Sequence, residues 1–190
     1  RHWTESRLIC VAGLRAVCAA GAPARRMTEW TALADAVLAD TAARSVHPGG
    51  WWRRAPDDDR TDAALLLPPL RGAPAWDDPR TVATVHAVES ELVEDNFLFR
   101  FRHQPGTLAD AEGAFLLCGF VMALAKHQQG DQLAAVRYFE RNRSACGPPG
   151  LYSEEYDVQQ RQMRGNLPQA FVHAVFLEAA ARLAKPWRER

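Results

Sequence analysis

The stretch AFLLCGFVMALAKHQQ, Ala114 to Gln129, is apolar almost all the way round a helical wheel. A helix without a polar face is one that other elements surround, so this segment reads as the buried helix of a packed helical domain. Downstream, Asp131 to Arg143 is amphipathic, with Leu133, Val136, Tyr138 and Phe139 as its inward set, and Gly147-Pro148-Pro149-Gly150 ends it. Leu151 to Asn166 reads as a long polar loop, and Pro168 opens a last helix carrying Phe171, Val175, Leu177 and Leu183. Upstream, Phe97, Phe99 and Phe101 alternate with Leu98, Arg100 and Arg102, the pattern of a short extended segment. Asp78-Pro79 pairs a cap with a favoured first-turn proline, ahead of one stripe of Val82, Val85, Val88 and Leu92. Asp62 starts a short apolar helix, Ala63 to Leu67, which Pro68 and Pro69 break. Gly49 to Arg60 reads as a loop. Thr28 caps a helix with Trp30, Leu33, Val37 and Leu38 inward, stopped by His47-Pro48-Gly49-Gly50. Thr4 caps the first, whose Leu8, Val11, Leu14 and Val17 recur every three residues up to Gly21 and Pro23. The sum is roughly seven helices and at most one short hairpin-like piece, an all-α class.

Composition narrows the function. The 190 residues hold 23 Lys plus Arg against 23 Asp plus Glu, a balance that argues against nucleic acid as a partner. Apolar residues make up 47%, enough for a real core and too many for general disorder. No apolar run reaches the roughly 18 residues of a membrane span, and no signal peptide opens the chain, so no membrane partner is expected. The first residue is Arg1, not Met, which suggests a piece of something longer. Cys10, Cys18, Cys118 and Cys146 form no C-x-x-C pair. Cys10 and Cys18, eight apart, are expected on one buried face, as small core residues whose free thiols suit the cytoplasm. His2, His47, His86, His103, His127 and His173 are scattered without metal spacing, so each reads as structural.

Catalytic groups usually sit on loops held by a rigid scaffold. Three stretches carry carboxylates where a site could form, the first two beside aromatics or glycine. Leu151-Tyr152-Ser153-Glu154-Glu155-Tyr156-Asp157 sets two adjacent carboxylates between two tyrosines. Tyrosine rings can stack on a pyranose while a carboxylate activates water or holds a hydroxyl; a solvated acidic loop is the plain alternative. Glu112, in Ala111-Glu112-Gly113-Ala114-Phe115, can equally serve the dipole of the helix it opens. Asp62, in Thr61-Asp62-Ala63-Ala64, can equally be an N-cap.

Four ordered motifs then resemble glycoside hydrolase family 15, which includes glucoamylases, glucodextranases and bacterial trehalases. Gly150-Leu151-Tyr152-Ser153-Glu154-Glu155-Tyr156-Asp157, followed by Gly165-Asn166-Leu167-Pro168-Gln169-Ala170-Phe171-Val172-His173, resembles its C-terminal signature. Glu112-Gly113-Ala114-Phe115-Leu116-Leu117-Cys118 is similar to its EG-x-FLLC helix start, and Asp62-Ala63-Ala64-Leu65-Leu66-Leu67-Pro68 to its DASLLLLP segment. Arg1-His2-Trp3-Thr4-Glu5-Ser6-Arg7 is similar to its RHFTHSK start. The resemblance implies about half of an (α/α)6 toroid over residues 1–190, as the C-terminal portion of a catalytic domain. It also implies inverting hydrolysis of an α-glucoside, either trehalose or an α-glucan, with no cofactor and no metal. Arg161 to Pro168 looks more like the trehalase branch. By motif position Glu154 matches the general base; the residues by themselves do not choose between Glu154 and Glu155. Glu155, Glu112, Asp62 and Tyr152 are carried over as candidates for binding substrate or supporting the groups that touch it.

One departure matters. The family's general acid lies in a W-E-x-R-G segment just ahead of the motif that opens this chain. The resemblance therefore puts the acid upstream, in an absent N-terminal half, and Glu112 is the one stand-in this chain offers. The alternative is a truncated or degenerate module that binds glucosides, or a helical interaction domain, without catalysis. An upstream reading frame carrying a Trp-Glu pair distinguishes the enzyme; a start codon near Arg1 distinguishes the module.

Overall fold

The computed structural model describes residues 2–102 and 113–185. Glu112 and His103 lie outside the described residues. Seven α-helices and two small antiparallel sheets make up the described chain, in two compact units, Arg1–Ala87 and Val88–Arg190. The all-α class and the helix count follow the sequence reading.

In the first unit, α1 (Thr4–Ala19) packs against α2 (Ala24–Ser45) through Val11, Ala12 and Ala34. Thr4 does not cap α1. It lies inside the helix, fully buried, and its N–H donates to Arg54 O at 3.1 Å, so a neighbouring loop satisfies the exposed helix end instead. Nor does Thr28 start α2. Pro23, in extended conformation, precedes Ala24, and the N–H of Met27 closes the first turn on Pro23 O at 2.9 Å. The buried stripe of α1 is Thr4, Leu8, Val11 and Ala12. Cys10 falls outside it and is exposed, Cys18 is half-buried, and only Cys118 is a core cysteine, so the shared buried face is corrected. None of the four cysteines forms a disulfide. The loop after α2 sends Trp52 into a core with Leu8 and Leu65, where its N–H donates to Thr84 Oγ1 at 2.9 Å. Asp62 caps a 3₁₀ turn, Ala63–Leu66, which runs into the four-residue α3 (Leu67–Leu70). Asp78 caps α4 (Pro79–Leu92), accepting from the N–H of Arg80 at 2.8 Å. The division between units falls within α4.

In the second unit, α5 (Leu116–Gln128) is buried on every face, as its sequence requires. It packs against α6 (Gln132–Arg143) and α7 (Ala170–Leu183). Gly119 lets α6 come close: a Cβ there would stand 1.9 Å from Asn142 Oδ1. The inward set of α6 is Ala135, Tyr138 and Asn142, while Leu133 and Val136 are 72% and 49% exposed. α7 starts at Ala170, two residues beyond Pro168.

The extended parts exceed the single hairpin-like piece expected. β1 (Val93–Glu94) pairs with β2 (Phe97–Leu98) across Asp95-Asn96, both at positive φ, the two-residue turn that matches strand twist. β3 (Ala114–Phe115), β4 (Glu155–Asp157) and β5 (Gln162–Arg164) form a second sheet in that order. The region read as a polar loop is therefore partly a hairpin. Its turn is tied by Asp157 Oδ1, which accepts from the N–H groups of Gln159 and Gln160 at 3.0 and 2.8 Å. No described helix is long and apolar enough to cross a membrane.

Candidate active site

Glu154 sits at the entrance to β4, and its backbone is held on both sides. Its N–H donates to Asn166 O at 2.9 Å, and its carbonyl accepts from Leu116 N–H at 3.2 Å. The residue is half-buried. Its Oε2 accepts from the Asn166 side-chain amide at 2.8 Å and from the Asn166 N–H at 3.4 Å. Gly165, at φ +70°, is the turn that makes this approach possible; a Cβ there would stand 3.0 Å from Glu154 Oε2. Among the described residues no lysine or arginine pairs with Glu154, and Oε1 has no hydrogen-bond partner. The carboxylate is thus oriented by a neutral amide and keeps one oxygen for another task.

The neighbouring candidates are more fully engaged. Glu155 Oε2 accepts from Gly113 N–H at 2.9 Å, tying β4 to the start of β3. A Cβ on Gly113 would meet Tyr156 O at 2.5 Å, so only glycine permits this closeness. Tyr152 is 3% exposed. Its ring packs among Phe120, His173 and Phe176, with centroids 5.2 to 5.6 Å away, and burial pushes its hydroxyl up to about 12. Its contribution toward Glu154 is through its backbone: Tyr152 N–H donates to His173 Nε2 at 3.2 Å, and Tyr152 O accepts from Gln169 N–H at 2.9 Å. Asp157, three residues after Glu154, is held below the usual carboxylate range by the Gln160 N–H and by Arg164, whose Nε and Nη2 donate to Oδ2 at 2.9 and 2.7 Å.

Asp62 belongs to the first unit. It is 6% exposed, accepts from Ala64 N–H at 2.9 Å, and pairs with Arg54 Nε at 3.3 Å. Glu112 lies outside the described residues. The structure thus brings Tyr152, Glu154 and Glu155 together on one segment. It adds two residues that sequence reasoning quoted without giving them a task, Asn166 and His173. The signal for His173 was its spacing: it stands four residues after Gln169, in the first turn of α7, the position from which a side chain can reach the preceding loop. Among the described residues no group of three or more His, Cys, Asp or Glu side chains is placed to hold a metal ion.

Comparison with known proteins adds the family. The profile described as "Glycosyl hydrolases family 15" matches residues 10–181. A trehalase of Mycolicibacterium smegmatis is 35% identical across the whole of this chain, and one of Mycobacterium tuberculosis is 32% identical. The chain spans 29% and 28% of the length of those two relatives. A solved wild-type glycosidase superposes over 97% of this chain and 53% of its own, with a TM-score of 0.82 at 18% identity. A variant glycosidase solved in complex with glucose superposes over the same share of this chain, with 52% of its own and a TM-score of 0.85. These neighbours have the helical toroid fold, and the described chain corresponds to about half of it.

Proposed function

The chain belongs to glycosyl hydrolase family 15, and we propose that it is the C-terminal part of the catalytic domain of an inverting α-glucosidase that hydrolyses trehalose. The trehalose part of the reading is supported by the two mycobacterial trehalases, each similar along the entire chain. The observation that carries the mechanism is Glu154: a carboxylate with a fixed backbone, one oxygen held by Asn166, and no ion pair among the described residues.

In this mechanism Glu154 is the general base. Its Oε1 takes a proton from a water molecule as the water oxygen attacks the anomeric carbon. The glycosidic bond breaks on the opposite face, where a general acid upstream of this chain protonates the departing oxygen. The two carboxyl groups of such a site stand roughly 6.5–9.5 Å apart to leave room for the water. Attack inverts one anomeric carbon only. Trehalose therefore yields β-glucose from the attacked ring and α-glucose from the leaving ring, in equal amounts before mutarotation. Proton transfer of this kind needs no metal or organic cofactor.

Glu155 acts in this reading mainly by holding the segment that carries Glu154, and Asp62 by capping a turn of its own unit, since each carboxylate already accepts a backbone N–H. Tyr152 acts through its backbone, and Glu112 remains a candidate for contact with substrate. The rest of the catalytic domain is the partner of this chain. That is supported by the share of the solved glycosidase it spans and by apolar side chains left on helix surfaces, with Val17 and Leu33 each 50% and Leu177 63% exposed. A cytoplasmic location fits four cysteines that form no disulfide.

The test is hydrolysis of trehalose and maltose by the full-length protein, with the fresh product anomers read by proton NMR. Glu154→Gln is expected to lower kcat by about 10²–10⁴. Near-normal turnover in that variant removes Glu154 from its role, α-glucose alone rules out inversion, and trehalose binding without turnover in the wild type favours the non-catalytic module.

A further inference from the structure

Three hydrogen bonds close a ring between the segment carrying Glu154 and the start of α7. Tyr152 N–H donates to His173 Nε2 at 3.2 Å. His173 Nδ1 lies 2.9 Å from Gln169 O. Gln169 N–H donates to Tyr152 O at 2.9 Å. The chemistry of the partners assigns the tautomer. A backbone N–H can only donate, so Nε2 carries no proton; a carbonyl can only accept, so Nδ1 carries one. His173 is therefore a neutral imidazole linking a helix-start carbonyl to a strand-entry N–H. Its ring also packs edge-on against the Tyr152 ring, with centroids 5.2 Å apart.

The position of this ring of bonds matters. Tyr152 is two residues ahead of Glu154, and Ser153 between them is fully buried, its Oγ donating to Glu155 O at 2.6 Å. The other bonds that fix Glu154, from its N–H to Asn166 O and from Leu116 N–H to its carbonyl, are backbone to backbone. His173 is the side chain that orients the Tyr152 peptide, and hence the direction from which the chain enters Glu154. Without an acceptor at Nε2, the N–H of the Leu151–Tyr152 peptide must find another partner, and the segment that leads into Glu154 shifts with it.

We propose that His173 is a positioning residue for Glu154: as the Nδ1–H tautomer it holds the Tyr152 peptide against the first turn of α7, and this sets where the Glu154 carboxylate stands. The proposal rests on the reading of Glu154 as general base. His173 touches no reacting atom, so its substitution alters the placement of the base and spares contacts that hold the sugar.

The full-length protein tests this with trehalose as substrate. Displacing a catalytic group by about 1 Å is worth on the order of 10²-fold, so His173→Leu is expected to lower kcat by about 10–100-fold with KM within about threefold. His173→Gln sets an amide oxygen near the position of Nε2 and is expected to keep kcat within about threefold of wild type, whereas the shorter His173→Asn is not. Nitrogen-15 NMR of histidine-labelled protein is expected to show His173 protonated at Nδ1 and bare at Nε2. A proton on Nε2 overturns the proposal. So does equal kcat for the Gln and Asn variants, a comparison that stands even where the Leu variant fails to fold. Loss of turnover in Glu154→Gln with normal kcat in His173→Leu overturns the positioning role alone. Normal turnover in Glu154→Gln overturns the general-base reading beneath it while leaving the tautomer assignment untouched.

Discussion

Asp62 in the first unit and Glu154 in the second are both motif carboxylates at the entrance to a structural element, yet their surroundings differ in kind. Asp62 is 6% exposed and committed: one oxygen caps a 3₁₀ turn, the other pairs with a guanidinium. Glu154 is half-buried, accepts from a neutral amide, and has an oxygen without a partner among the described residues. A carboxylate that caps and pairs stabilises the fold through its charge. One that is oriented but unpaired keeps an oxygen for the water it would deprotonate in the proposed reaction. The sequence presents both as acidic residues beside small or aromatic neighbours, and only their partners separate the two uses.

Substitution separates them experimentally. The largest effect is expected at Glu154, where Gln costs about 10²–10⁴ in kcat yet leaves the thermal midpoint within about 2 °C, because an exposed amide contact is all that changes. Asp62→Ala is expected to do the reverse. It removes a cap and a partner of the half-buried Arg54, for a loss of about 2–3 kcal/mol in urea unfolding, and an unchanged midpoint would make the contrast with Glu154 untenable.

Asp58 sharpens the comparison by pH. Its carboxyl is lowered from 3.8 to about 2, first by the Arg60 side-chain bonds at 2.8 and 2.7 Å. A carboxyl lowered on folding stabilises the native state above its unfolded value and loses that contribution as pH falls toward its folded value. Asp58→Asn should therefore cost about 2 kcal/mol at pH 7, with the gap to wild type closing between about pH 4 and pH 2. A gap of constant size across that range would show the pairing contributes nothing through ionisation. The smallest effect is expected at Asn166, an exposed residue. Asn166→Ala removes one hydrogen bond, about 1 kcal/mol or less in stability, and should slow turnover by about threefold to tenfold through looser aim of Glu154.

The helices were legible because their signals are local. The all-round apolar character of α5 required burial, and Asp62, Asp78 and the His47-Pro48-Gly49-Gly50 break acted at the positions read for them. The misreadings have one cause. Thr4 and Thr28 look like caps, but Arg54 O supplies the partner for Thr4 and Pro23 starts the second helix earlier. Cys10 and Leu133 look like core residues by spacing, but the buried stripes of α1 and α6 lie elsewhere. The Leu151–Asn166 stretch looks like a loop because its strands are three residues long, too short for alternation to register.

The sequence by itself determined the helical class, most helix positions, the family, and the segment on which Glu154 lies, since periodicity, turn residues and ordered motifs are properties of neighbouring positions. The tertiary structure decided which carboxylates are engaged and which keeps an oxygen without a partner among the described residues. Asn166, Gln169 and His173 lie 12 to 19 positions from Glu154 along the chain, and hydrogen bonds across such gaps exist only once α5, α7 and the small sheet have packed together.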